Sequence, residues 1–148
     1  MSERVLLIGG GGREHAIARA VAGNCELYAC ASNRNPGIAA LATGFEQLDE
    51  DDAEGIASYA AEIKATLAII GPESSLAAGV ADALEAVGVY TFGPTAEQAR
   101  IETDKAFQRE FMREQHIPGC PEFETFDDAE AAATYITEND GDVAVKPT

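Results

Sequence analysis

Arg4-Val5-Leu6-Leu7-Ile8-Gly9-Gly10-Gly11-Gly12-Arg13-Glu14-His15 is the stretch that decides the fold. The run from Val5 to Ile8 is apolar at consecutive positions, the pattern of a strand buried on both faces. Glycines then turn the chain, and residues 14–22 continue with helical composition, Ile17, Ala20 and Val21 sharing a face. A buried strand followed by a tight glycine turn and a helix is the opening of a parallel α/β unit.

The rest of the chain repeats this rhythm. Strands are predicted at Glu26–Ala31, Leu67–Ile70 and Tyr90–Phe92, with helices over 52–64 and 75–87 between them. Residues 32–37 read as a turn followed by a loop. The 52–64 helix carries Ile56, Tyr59, Ala60 and Ile63 as its apolar stripe, and the 75–87 helix carries Leu76, Val80, Ala83, Leu84 and Val87. Thr95 with Gln98 three residues on forms a capping-box pattern for a short helix. Strand–helix alternation with short connections requires parallel strands and right-handed crossovers. The expected fold is α/β, an open parallel sheet with helices on both faces.

From Thr103 the rhythm changes. A helix is expected over 103–115, with Phe107 and Phe111 one turn apart, then a strand over 122–125. Asp127 with Glu130 is read as the cap of a helix reaching Asn139, and 143–146 as the start of another strand. The expected division is a first domain over 1–102 and the truncated beginning of a second over 103–148.

Acidic residues number 26 against 10 basic ones, a formal charge of −16. Such a surface repels nucleic-acid phosphates and anionic lipid heads, so neither is an expected partner. The acids are spread along the chain and form no interaction tail; adaptation to a salty cytoplasm is the favoured reading. Cys25, Cys30 and Cys120 form no CxxC pair, and Cys25 and Cys30 should point to opposite faces of a strand, so buried thiols in a reducing compartment are expected. Val5–Ile8 as an apolar run is too short for a signal peptide or membrane span; a cytoplasmic location follows.

Each of the four strands ends in a glycine-bearing loop: 9–12, Asn35-Pro36-Gly37, Gly71-Pro72-Glu73 and Gly93-Pro94-Thr95. Along the carboxyl edge of an open parallel sheet these loops lie where such folds bind ligands. The first loop, entering a helix, suits an anion, most simply a phosphate. Its glycine spacing does not fit a dinucleotide motif, since the third glycine would fall at Glu14 or His15, and the second strand lacks a ribose-binding acid. An NAD- or nucleotide-binding module without catalytic activity is thus the weaker alternative. Arg13 stands beside the anion position, and Glu73 can accept hydrogen bonds from hydroxyls or an amine. Glu14 has a plain role against the helix dipole, and His15 reads as a packing residue before a base. Lys105 and Lys146 stand out in a chain with three lysines; Lys146, ending an apolar strand, is read as a rigid phosphate contact or a guard on a sheet edge.

Taken together, Gly11-Gly12-Arg13-Glu14-His15-Ala16, Asn35-Pro36-Gly37, Gly71-Pro72-Glu73, Gly93-Pro94-Thr95, Glu102-Thr103-Asp104-Lys105-Ala106-Phe107, Ile117-Pro118 and Val143-Ala144-Val145-Lys146 resemble the phosphoribosylamine–glycine ligase family of purine synthesis. The resemblance implies a Rossmann-like domain preceding an ATP-grasp domain. It implies ATP- and Mg2+-dependent joining of glycine to 5-phosphoribosylamine, giving glycinamide ribonucleotide, ADP and phosphate. By that resemblance Gly11, Gly12, Arg13, Asn35, Gly37 and Glu73 line the phosphoribosylamine side, and Lys105 and Lys146 face ATP phosphates. No catalytic or metal-binding residue is expected within this span, the magnesium ligands lying beyond residue 148, and a monomer is expected for the full-length protein. Pro147-Thr148 after Lys146, and Ser74-Ser75 after Glu73, depart from the family pattern. Related ligases place part of the sugar-phosphate grip on a C-terminal region, so whether the glycine loop holds phosphate or ribose stays open.

Overall fold

A computed structural model of the chain describes residues 3–139 and 141–146. It divides into two compact units, Met1–Ala99 and Arg100–Thr148.

The first unit is built on a five-stranded sheet in the order β3-β2-β1-β4-β5, with every neighbouring pair parallel. The strands are β1 (Arg4–Ile8), β2 (Glu26–Ala31), β3 (Gly44–Gln47), β4 (Leu67–Ile70) and β5 (Tyr90–Phe92). Between them run α1 (Gly12–Val21), α2 (Pro36–Leu41), α3 (Ala53–Glu62), α4 (Glu73–Ala77) and α5 (Val80–Ala86); α6 (Ala96–Thr103) follows β5. Alternation along β1 shows why the strand is apolar throughout. Leu6 and Ile8 enter one core with Ile56 and Ala60 of α3 and Val80, Ala81 and Leu84 of α5. Val5 and Leu7 enter the other with Ala18 of α1 and Ile38 of α2. Cys30 belongs to the first core and Cys25 packs against the second, the opposite-face placement expected from their spacing. Both thiols are free, and burial, with the charges of Glu50 and Glu46 behind it, pushes Cys30 up to about 12.

Several boundaries differ from the expectation. Residues 36–47 are not a loop: they form α2 and β3. Asn35 caps α2, Pro36 occupies its first turn, and six residues are too few to display a period. Strand β3 lies at the sheet edge, where Phe45 alone of its side chains packs on a core. The 75–87 helix is broken at Gly79, whose φ of 82° turns the chain so that Leu76 and Val80 both reach the same core. Val87 is consequently exposed at 49%, and Val89 is buried in its place.

Ser75 is fully buried on α4, and its Oγ has no hydrogen-bond partner among the described residues. An unsatisfied buried hydroxyl costs about 1–3 kcal/mol. Ser75→Ala is therefore expected to raise the unfolding free energy by about 1 kcal/mol in urea titration, and a loss of stability would contradict this packing.

Strand β5 is one of the two edge strands of the sheet among the described residues. Tyr90 and Phe92, two residues apart and so on one face, are 81% and 73% exposed.

The second unit holds α7 (Lys105–Glu114) and α8 (Ala129–Glu138). Asp104 caps α7 by accepting the Phe107 amide at 2.9 Å. The helix expected to start at 103 starts at Lys105, because α6 runs on through Thr103. Asp128, not Asp127, caps α8, accepting the Ala131 amide at 2.8 Å. Residues 122–125 and 143–146 are not strands. Both runs have strand composition, but a strand exists only by pairing, and no ladder among the described residues includes them.

Candidate functional site

The order β3-β2-β1-β4-β5 reverses direction between β1 and β4, since the chain winds outward from β1 on one side and returns to β4 on the other. The crevice at the carboxyl ends of those two strands is the switch point where open α/β sheets bind ligands. Arg13 follows β1 and Glu73 follows β4, and their side chains face each other across it, Nη2 to Oε2 3.8 Å. Both side chains are 63% exposed, so their attraction contributes at most about 1 kcal/mol to the fold and both reach solvent.

Glu14 is the opposite case, 4% exposed. Its Oε2 accepts the Gly11 amide at 2.9 Å and its Oε1 accepts Arg13 Nε at 2.9 Å. Its stem fills the space left by two glycines. A Cβ on Gly71 would lie 2.5 Å from Glu14 Cγ, and one on Gly9 2.7 Å from the same atom. Gly9 also has a φ of +116°, closed to ordinary side chains. Burial raises the Glu14 pKa, but hydrogen bonds from Arg13 and from the amides of Glu14 and Gly11, with the Arg13 charge, outweigh it and bring the net value below the usual 4.5. Arg13 Nη2 donates to the Gly71 carbonyl, completing a bridge from the β1 loop to the β4 loop.

The second loop joins the same edge. Asn35 Nδ2 donates to the Gly10 carbonyl at 2.9 Å, while its Oδ1 accepts the Gly37 amide at 2.9 Å and the Ile38 amide at 3.3 Å. Both ends of that amide are thus engaged within the protein. Gly37 lies under the His15 ring, and a Cβ there would meet His15 Nε2 at 2.5 Å. His15 therefore packs α1 against α2, as a packing residue would.

Of the sequence candidates, Arg13, Glu73, Gly11, Gly12, Asn35 and Gly37 all fall on this carboxyl edge. They divide by what they do locally. Asn35 and Gly37 shape the loops, the Gly11 amide is taken by Glu14, and Arg13 and Glu73 reach solvent. Gly12 faces open space, with nothing within 4 Å of a built Cβ. The loop amide expected to await an external anion already holds an internal one at Gly11. Glu73 also opens α4, so the helix dipole gives it a plain stabilising role beside any binding role. Glu14 is the residue that sequence reasoning underrated; its spacing of three from Gly11, the capping-box distance, was the available signal.

In the second unit Lys105 occupies the first position of α7 and is exposed, and Lys146 is exposed on a segment with no strand. The rigid-strand argument for Lys146 is thereby lost. Among the described residues no group of three His, Cys, Asp or Glu side chains could hold a metal ion. No helix of the described residues is long and apolar enough to cross a membrane.

An open parallel sheet with its polar groups gathered at the switch point belongs to the Rossmann-like α/β class. N5-carboxyaminoimidazole ribonucleotide synthetase from Thermotoga maritima matches with a TM-score of 0.71 at 19% identity, over 92% of this chain and 36% of that one. Phosphoribosylglycinamide synthetase from Anaerococcus prevotii matches with a TM-score of 0.66 at 14% identity, over 91% of this chain and 34% of that one. At these identities the likeness is one of fold. The family model "Phosphoribosylglycinamide synthetase, N domain" matches residues 3–102, and the chain belongs to that family. Phosphoribosylamine–glycine ligase of Methanopyrus kandleri is 50% identical over 148 residues, covering 97% of this chain and 33% of that protein. The ligase of the same name from Pyrococcus abyssi is 48% identical over 145 residues, again 97% of this chain and 33% of the relative. The chain thus spans about a third of the length of the curated relatives it matches.

Proposed function

We propose that this chain is the N-terminal, substrate-side part of a ligase that joins glycine to 5-phosphoribosylamine, giving glycinamide ribonucleotide with ADP and phosphate as co-products. The observation that carries the reading is the Arg13–Glu73 pair across the switch point, beside Gly12 facing open space. The family membership supplies the substrate class. The local charge count favours one end of the substrate here. One cation, Arg13, stands against two carboxylates, Glu14 and Glu73, so the edge suits ribose hydroxyls or an amine better than a phosphate dianion.

ATP and Mg2+ belong to the same proposal. ATP supplies the phosphoryl group that activates the glycine carboxylate. Lys105 and Lys146 are exposed ammonium groups of the right chemistry to meet its phosphates, and the magnesium ligands are assigned to residues beyond Thr148. The partners are small molecules, and a monomer is the proposed state of the full-length ligase.

Gly12 gives the cleanest test. It is the first residue of α1, where alanine is a better helix former and touches nothing. Gly12→Ala should leave the melting temperature of the full-length ligase unchanged while raising the KM for phosphoribosylamine by about tenfold. An unchanged KM would remove the glycine loop from the site.

The −16 charge supports a second part of the proposal, a salt-rich cytoplasm. Raising salt from about 0.1 M to about 1 M shortens the screening length from about 10 Å to about 3 Å. The melting temperature should climb over that range, and a flat response discards the salt reading.

A further inference from the structure

We propose that Glu14 is the positioning residue of this site: its buried carboxylate locks the Nε edge of Arg13, so that the outer guanidinium nitrogens meet substrate in one fixed pose. The inference rests on the reading of the Arg13–Glu73 crevice as the phosphoribosylamine side.

Arg13 is exposed, and an exposed arginine ordinarily samples many rotamers, at a cost of about 2 kcal/mol when a ligand must freeze it. Here that freedom is removed beforehand. Glu14 Oε1 holds Nε at 2.9 Å, and Nη2 is drawn to the Gly71 carbonyl with Glu73 Oε2 3.8 Å away. Glu14 itself cannot yield. Its second oxygen is held by the Gly11 amide at 2.9 Å, and its stem is wedged between Gly9 and Gly71, whose missing side chains leave just that room. A planar guanidinium gripped along one edge faces a direction set by the protein, which is preorganisation. The residue never needs to touch substrate; it acts through Arg13.

The test is a double-mutant cycle on the full-length ligase, reading phosphoribosylamine KM and kcat at saturating ATP and glycine. Glu14→Gln keeps the shape but loses the charge. It should raise KM about tenfold with kcat within about twofold of wild type. Arg13→Ala should raise KM at least as much, and Glu14→Gln should add nothing in the Arg13→Ala background. If Glu14→Gln lowers the melting temperature but leaves KM untouched, or raises KM equally with and without Arg13, Glu14 serves the fold alone and the proposal is overturned. Arg13→Lys covers the case in which Glu14→Gln does not fold. It keeps the charge at an exposed position but has no Nε–H edge for Glu14, and it should behave like Arg13→Ala; a wild-type KM for Arg13→Lys overturns the proposal. Should Arg13→Ala and Glu73→Ala both leave KM unchanged, the substrate reading falls and takes the positioning role with it.

Discussion

Glu14→Ala is expected to destabilise the first unit by about 2–3 kcal/mol, lowering its melting temperature by about 10–20 °C. Two terms add. The Gly11 amide and Arg13 Nε lose a carboxylate partner, and hydrogen bonds to a charged group are worth about 1.5–3 kcal/mol each where they are buried. Arg13 is mostly exposed and recovers water, so its share is small and the Gly11 amide carries more of the loss. The methylenes packed against Gly9 and Gly71 also leave a void between the two loops. The pH dependence has a defined sign. The folded Glu14 pKa lies below the usual 4.5, so its contribution is fully present above about pH 4.5 and is lost as pH falls through the lower folded value. The stability gap between wild type and Glu14→Gln should therefore be constant from neutrality down to about pH 5 and narrow below it. Chemical denaturation at a series of pH values checks this, and a gap that widened on acidification would contradict the assigned direction.

Gly71→Ala is the second large effect. Its Cβ would lie 2.5 Å from Glu14 Cγ and 2.6 Å from Cδ, and closer still to Oε1. A flexible surface side chain would swing away at little cost, but Glu14 is pinned at both oxygens. Overpacking of this kind costs about 1–3 kcal/mol, and the upper end is expected because the Gly71 amide is also tied to the Ile8 carbonyl at 3.1 Å. The cause can be isolated. In a Glu14→Ala background the obstacle is gone, so the added cost of Gly71→Ala should fall to near zero, a strong departure from additivity. Equal costs in the two backgrounds would show that the backbone of Gly71, and not the Glu14 side chain, sets the requirement.

How far the sequence carried these conclusions depended on where each signal was local. β1, β2, β4 and β5 are short runs dense in Val, Ile and Leu or aromatics, three of the four stopped by a glycine, and their existence was legible. The parallel arrangement followed from the alternation with helices. α2 and β3 were hidden because a six-residue helix and an edge strand with one core contact carry no period to read. The break at Gly79 was hidden for another reason: the apolar spacing runs on through it, and a single residue with positive φ leaves no mark on a hydrophobic pattern. In the second unit the strand composition of 122–125 and 143–146 was legible, but pairing is a property of two segments, and composition reports one. The sequence placed its candidate residues along one edge of the sheet. It did not distinguish those that build the edge from those that face outward, since that division is made by side-chain contacts: Asn35 to Gly10, His15 over Gly37, Glu14 in the sockets of Gly9 and Gly71.

Strand β5 gives this chain a border with a different chemistry from the opposite one. Its outer row of peptide groups pairs with no strand among the described residues, and Tyr90 and Phe92 supply two broad greasy rings at the same border. The opposite border is guarded by Glu46 within β3, whereas β5 reads Tyr-Thr-Phe and carries no charge of its own. A formal charge of −16 makes such molecules repel one another in dilute buffer. Concentrated electrolyte removes that force while leaving the rings as oily as before. The ionic conditions that relieve strain within one molecule are thus the same conditions that let neighbours approach edge to edge.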